Sequence, residues 1–330
     1  MKFGAVQPAT ALGNVLAHSI SVAGRRLRKG QVLTASDIEA IVASGVEQVT
    51  VARLEPGDVT EDAAALRLAQ ALVPDPAALG LSLSKPFTGR VNLLSDGPGV
   101  VILDVAALEA LNAVDPMITL ATVAPFHQMA NGGMVATIKI ISYAVPETAL
   151  LRACELARGA IRLARPVLRT ADLIVTEIPG GAGDKGRTAI AARLDALGVD
   201  LRKVMQIPHS ETALAQALGQ SNADLSLILT GSATSDINDV APAALRLAGG
   251  EVLRFGMPVD PGNLLFLGEL ADRPVIGLPG CARSPALNGA DWVLSRVVCG
   301  LPVTSADIAA MGVGGLLKEI PTRPQPRRGA

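Results

Sequence analysis

Aromatic residues are nearly missing from this sequence: one Trp, one Tyr and five Phe among 330 residues. With apolar residues still at 49%, Ala, Val, Leu and Ile must build the core. No charge of one sign dominates. The 29 basic and 30 acidic residues leave a formal charge of −1, so broad attraction to nucleic acid or to an anionic membrane is not expected. An anionic ligand would have to be held locally, by a loop or a few side chains. Cysteine is equally sparse. Cys154, Cys281 and Cys299 are too few and too scattered for a disulfide framework or a thiolate zinc site, which favours a reducing compartment. No run of about 18 apolar residues exists to span a bilayer. Phe3 to Gly24 carries no charged residue and so mimics a signal sequence, but Gln7, Pro8, Asn14 and His18 interrupt it. These absences together lead to the expectation of a soluble, cytoplasmic protein.

At this length two or three domains can each bury a core. Residues 1–73 read as a small α+β module. Thr34 is a predicted N-cap with Asp37 three residues on, and Gly45 sits where a left-handed C-cap belongs. "VEQVTVARL" alternates like a strand, "EDAAALRLAQAL" reads as a helix, and Pro74 and Pro76 mark a boundary. Residues 74–148 are rich in β-branched residues and read as a mixed, strand-rich module with one short helix near "VAALEALNAV". From 149 to 320 the rhythm changes. Strands such as "ADLIVTEIP", "VDLRKVMQI", "ADLSLILTG" and "EVLRFGM" alternate with helices, which predicts a three-layer, doubly wound α/β domain with a mostly parallel sheet. The tail 321–330 is expected to be disordered.

Ligands in such sheets sit beyond the carboxyl ends of the strands, and three loops there attract attention. In "TEIPGGAGDKG", Gly180, Gly181 and Gly183 allow close backbone approach, with Asp184 and Lys185 at the following helix start. A flexible turn capped by Asp184 is the plainer alternative. In "LTGSATSDINDVAPAAL", Thr230, Gly231 and Ser232 offer small groups suited to a phosphate or a pterin edge. Asp236 and Asp239 could share a Mg²⁺, or Asp239 could be only a helix cap. The third stretch holds two Pro-Gly turns: "DPGN", with Asp260, Pro261 and Gly262, and "LPGCARSP", with Pro279, Gly280, Cys281, Arg283 and Ser284. Amides after Gly280 can form an anion pocket that Arg283 closes. Cys281 could be a nucleophile, a metal ligand or a small side chain beside a working backbone. No Cys-His-Asn pattern supports the first, and no neighbouring Cys or His the second. His18 and His127 read as surface or core residues.

Taken in order, these loops resemble the molybdopterin-binding domain of molybdopterin adenylyltransferases, molybdotransferases and gephyrin. "NDVAP" is similar to that family's Arg-Asp-Val-Thr-Pro segment, with Asn238 in the Arg place and Ala241 in the Thr place. "GLPGCARSP" resembles its Gly-Leu-Pro-Gly-Asn-Pro loop, with Cys281 for Asn, and "GDKG" its acidic loop before the first helix. His209 in "IPHSE" stands where adenylyltransferases usually carry an acidic residue. "KGQVLTASDIEAIVASGVEQVTV" looks like the small module of the molybdotransferases. Runs such as "GMPVDPGNLL" and "GCARSPALNGADWVL" are similar to a bacterial group of molybdopterin-binding proteins, often fused to a molybdenum cofactor cytidylyltransferase-type domain.

The resemblance implies binding of molybdopterin, or a nucleotide-linked form, during molybdenum cofactor biosynthesis. Thr230, Gly231, Ser232, Gly181, Gly183, Lys185, Pro261, Gly262, Pro279, Gly280, Cys281, Arg283 and Ser284 would line the site. If the protein is an enzyme, Asp239, Asp236 and Asp184 would assist adenylyl or molybdate transfer, with Mg²⁺ on Asp236 and Asp239 and ATP or CTP as co-substrate. The alternative is a non-catalytic carrier for a separate molybdenum cofactor nucleotidyltransferase. A third possibility is another phosphometabolite enzyme on a similar sheet. Relatives form dimers or trimers, so a homo-oligomer is expected.

Overall fold

The computed structural model describes residues 1–181 and 185–317, so Gly183, Asp184 and the expected tail at 321–330 lie outside the described residues. The chain divides into two compact units. The first holds Met1–Asp96, Val101–Pro125 and Asn131–Leu163. The second holds Gly97–Val100, Phe126–Ala130 and the chain from Ala164 onward. Among the described residues no helix is long and apolar enough to cross a membrane.

In the first unit the helix Ala35–Ala43 begins at a capping box. Thr34 accepts the Asp37 amide, and the Asp37 carboxylate accepts the Thr34 amide at 2.9 Å. Gly45 follows at a φ of +71°, as the pattern required. The strand Val49–Arg53 pairs antiparallel with Lys2–Val6 and with Val15–Leu16, over a core that includes Leu16, Ile41 and Val51. The helix Glu61–Leu72 buries Ala64, Ala65, Leu68, Ala69 and Leu72. It packs on strands Arg90–Ser95 and Met134–Ile140 of a four-stranded sheet. The chain on both sides of Pro74 and Pro76 belongs to this one unit.

The second unit is built on six strands, numbered here within it. They are β1 (Thr170–Glu177), β2 (Asp200–Pro208), β3 (Leu225–Leu229), β4 (Glu251–Phe255), β5 (Phe266–Leu270) and β6 (Arg273–Gly277). Its helices are α1 (Arg187–Asp195), α2 (Glu211–Gln220), α3 (Val240–Leu247), α4 (Gly289–Val298) and α5 (Ser305–Ala310). The sheet order is β2-β1-β3-β6-β5-β4. β1 runs parallel to β2 and β3, and β3 parallel to β6, while β5 and β4 run antiparallel at the other edge. This is the mixed α/β, mostly parallel sheet that the sequence predicts.

Alternation along the central strands splits the core into two layers. Leu173 and Val175 of β1 and Leu227 of β3 face α1, α4 and α5. Ile174 and Ile228 face α2 and α3 through Leu214, Leu218 and Leu245. Scarce aromatics make one placement conspicuous. Phe266 of β5 lies directly opposite Gly277 of β6, and its ring fills the space that a side chain on Gly277 would take. The β5–β6 hairpin was not foreseen. Its two-residue turn, Ala271-Asp272, holds both residues at positive φ, 48° and 59°, without the Asn or Gly that usually announces such a turn.

Candidate ligand-binding site

Parallel pairing brings the carboxyl ends of β1, β2, β3 and β6 to one edge, so the loops that follow them converge there. After β1 the chain turns sharply: the Gly181 amide donates to Ile178 O at 2.9 Å. Lys185 is exposed, and Gly186 precedes α1 at a φ of +101°. A side chain on Gly186 would collide with the Arg283 backbone at 2.7 Å, so this glycine permits the β1 and β6 loops to touch.

After β3, Gly231 passes so close to the end of β1 that a Cβ would sit 2.7 Å from Thr176 O. Its amide donates to the buried Thr176 hydroxyl at 2.9 Å. Ser232 is exposed, and the Thr230 and Thr234 hydroxyls lie 3.3 Å apart. Asp239 caps α3, with its Oδ1 accepting from the Val240 amide at 2.7 Å and Oδ2 from the Ser235 amide at 3.0 Å. Asp236 Oδ1 accepts from the Asn238 amide at 2.8 Å. Three of the four oxygens in this pair thus hold backbone amides. Among the described residues no group of three His, Cys, Asp or Glu side chains is arranged to hold a metal ion.

After β6, Pro279 leads into a single 3₁₀ turn, Gly280–Arg283. The first amides of such a turn, Gly280 and Cys281, have no partner inside it. Ser284 is exposed, and its amide returns to Cys281 O at 3.0 Å. Cys281 is half-buried, and burial pushes its thiol above the ordinary value, the opposite of what an activated nucleophile needs. Arg283 donates from Nη1 to Lys185 O at 2.7 Å and from Nη2 to Thr230 O at 2.8 Å. It joins the loops after β1, β3 and β6, and desolvation lowers its pKa. Pro261 and Gly262 pack elsewhere on this loop system: Pro261 O accepts the Gly289 amide at 2.8 Å, and Gly262 abuts the start of α4.

Two groups that sequence reasoning did not place complete the site. Arg193 of α1 donates to Ala282 O at 3.0 Å, Ser284 O at 2.8 Å, Ala286 O at 3.0 Å and the Asp291 carboxylate. Its guanidinium fixes the carbonyls of the β6 loop. His209, two residues before α2, places Nδ1 at 2.7 Å from the Thr176 hydroxyl. Neither has a local signature, since the partners lie far away along the chain.

Residues 5–53 match a family described as a domain of unknown function (DUF8806). No curated protein matches the chain. Among solved structures the chain is similar to a MoeA molybdopterin biosynthesis protein from Pyrococcus horikosii, at 12% identity and a TM-score of 0.31, over 91% of this chain and 75% of that one. It is similar to the molybdopterin biosynthesis enzyme MoaB from Thermus thermophilus, at 19% identity and a TM-score of 0.29, over 46% and 100%. A third is the CinA protein of unknown function from Thermoplasma acidophilum, at 12% identity and a TM-score of 0.30, over 35% and 90%.

Proposed function

We propose that the second unit binds molybdopterin, or a nucleotide-linked form of it, during molybdenum cofactor biosynthesis. One observation carries the reading. The loops whose residues resemble the molybdopterin-binding motifs, "TGSATSD" and "LPGCARSP", stand side by side at the carboxyl edge of the sheet, joined by Arg283 through Thr230 O. The terminal phosphate would lie against the exposed Ser232 and the first amides of the Gly280–Arg283 turn, where dipoles favour an anion. The exposed Lys185 adds positive charge at the same edge.

The carrier reading is favoured over nucleotidyl or molybdate transfer by the use of Asp239. Its carboxylate holds the Val240 amide at the start of α3 and the Ser235 amide of the preceding loop, and any Mg²⁺ would have to arrive with a nucleotide's phosphates. The test is anaerobic incubation of the protein with molybdopterin, with and without Mg²⁺ and ATP or CTP, followed by mass spectrometry of bound pterin and nucleotide products. Bound, unaltered molybdopterin is the expected result. A nucleotidylated pterin would make the protein an enzyme, and absence of binding would overturn the reading. Ser232→Trp, on an exposed position of the loop, is expected to abolish binding without unfolding the protein.

A further inference from the structure

His209 is tied to the end of β1 through both its backbone and its ring. Its backbone amide donates to Glu177 O at 3.0 Å, which ties the residue to the end of β1. Its ring meets Thr176, whose side chain is buried and also receives the Gly231 amide. A hydroxyl has a single proton to give. With the Gly231 amide already donating to Thr176 Oγ1, that proton is best used on Nδ1. The opposite tautomer would bury a hydroxyl hydrogen with no acceptor, a costly arrangement. Nδ1 is therefore the acceptor, and the ring proton sits on Nε2, on the side away from Thr176. Among the described residues Nε2–H has no protein hydrogen-bond partner. Thr176 thus couples two features through one oxygen, the position of the Gly231 amide and the direction of a histidine donor.

We propose that His209 is a ligand-binding residue of this site. Its Nε2–H donates to an oxyanion of the bound molecule beside the Thr230-Gly231-Ser232 turn, and Thr176 is the positioning residue that sets its tautomer. Only the identity of the oxyanion, the phosphate of molybdopterin, rests on the function proposed above. The donor itself follows from the hydrogen bonds of Thr176.

Substitutions can separate the two ring nitrogens. His209→Asn keeps an acceptor for Thr176 and loses the outward donor, whereas His209→Gln can reach outward and donate. Thr176→Ser keeps the hydroxyl that serves the Gly231 amide and His209, whereas Thr176→Val would leave that amide without its acceptor. The experiment is long-range ¹⁵N–¹H NMR of the imidazoles in the full chain, with His209 assigned among three histidines by its loss in His209→Asn. Spectra are recorded free, with inorganic pyrophosphate, and with molybdopterin under anaerobic conditions.

The expected free spectrum shows His209 protonated on Nε2, in the wild type and in Thr176→Ser. The Nε2–H signal should move on adding molybdopterin. Affinity should fall by about tenfold in His209→Asn and recover in part in His209→Gln, the scale of one hydrogen bond to a charged group. A proton on Nδ1 would overturn the inference. So would molybdopterin binding with unchanged affinity in His209→Asn and a still Nε2–H signal, and this result would leave the proposed function standing. Pyrophosphate moving the signal while molybdopterin does not bind would uphold the donor and overturn the proposed function. A silent Nε2–H with both probes would overturn the donor.

Discussion

Replacing Arg193 by Met should loosen the β6 loop and cost the second unit a large share of its stability. Arg193 and Asp291 are 12% and 13% exposed, so solvent screens the pair little. The guanidinium also serves the carbonyls of Ala282, Ser284 and Ala286, which would lose a charged donor together. The Asp291 carboxylate would keep the Asn288 amide at 2.8 Å, so it would not be stranded completely. Breaking a buried pair from one side costs about 3–5 kcal/mol. With a urea slope of about 2 kcal/mol/M this lowers the midpoint by roughly 2 M. Met fills much of the same volume, which keeps a cavity from contributing. The assay is urea unfolding followed by fluorescence of the single tryptophan, Trp292, which follows Asp291 in α4 and so reports this unit. Arg193→Lys keeps the charge but not the planar fork, so it should recover only part of the loss. A midpoint within about 0.3 M of the wild type in Arg193→Met would show that the network holds nothing.

Gly277→Ala drives a methyl into the Phe266 ring, where the ideal Cβ lies 1.9 Å from a ring carbon. It should destabilise by about 3 kcal/mol in thermal or urea unfolding, at the upper end of overpacking. Asp239→Ala should cost about 1 kcal/mol as a lost cap, while Asp239→Asn should cost somewhat less, because its one amide oxygen can keep the Val240 amide but the Ser235 amide loses its acceptor. Urea midpoints separate the two, and a large loss in Asp239→Asn would contradict a pure capping role. Burial pushes the Cys299 thiol up to about 11. Thiol titration of the native protein near pH 8 should therefore leave Cys299 unmodified until denaturant is added. Amides of Arg169 and Thr170 and the Thr170 hydroxyl face the Asp224 carboxylate and hold its pKa below the ordinary value of 3.8, with the Arg169 amide the largest cause. A depressed carboxylate contributes stability above the unfolded pKa and loses it as pH falls through the folded one. The acid-side loss of stability should thus be shallower in Asp224→Asn, measured by urea midpoints below pH 4.

How much of this was legible depended on how far apart the partners stand. Thr34 and Asp37 announce their cap within four residues, and the helix Glu61–Leu72 shows its apolar face within its own sequence. The alternation of strand and helix after Thr170 is a local rhythm, and it led to the parallel sheet. The Ala271-Asp272 turn broke local rules, since positive φ at Ala carries a steric cost that neighbouring β pairing must outweigh, and the hairpin stayed hidden. At the carboxyl edge the small residues of the loops could be placed because each follows a strand directly. Arg193 could not, because Asp291 and most of its carbonyl acceptors lie some ninety residues downstream, and carbonyls are groups that every residue owns. His209 was visible only as a departure from an acidic position. Its meaning came from Thr176, a residue that reads as one more β-branched strand position until the sheet brings Gly231 and His209 onto the same oxygen. Loops show which residues a ligand could meet, whereas the sheet decides which of them arrive with a fixed direction. That difference makes the histidine proton, rather than the Asp236 and Asp239 carboxylates, the sharper object for experiment.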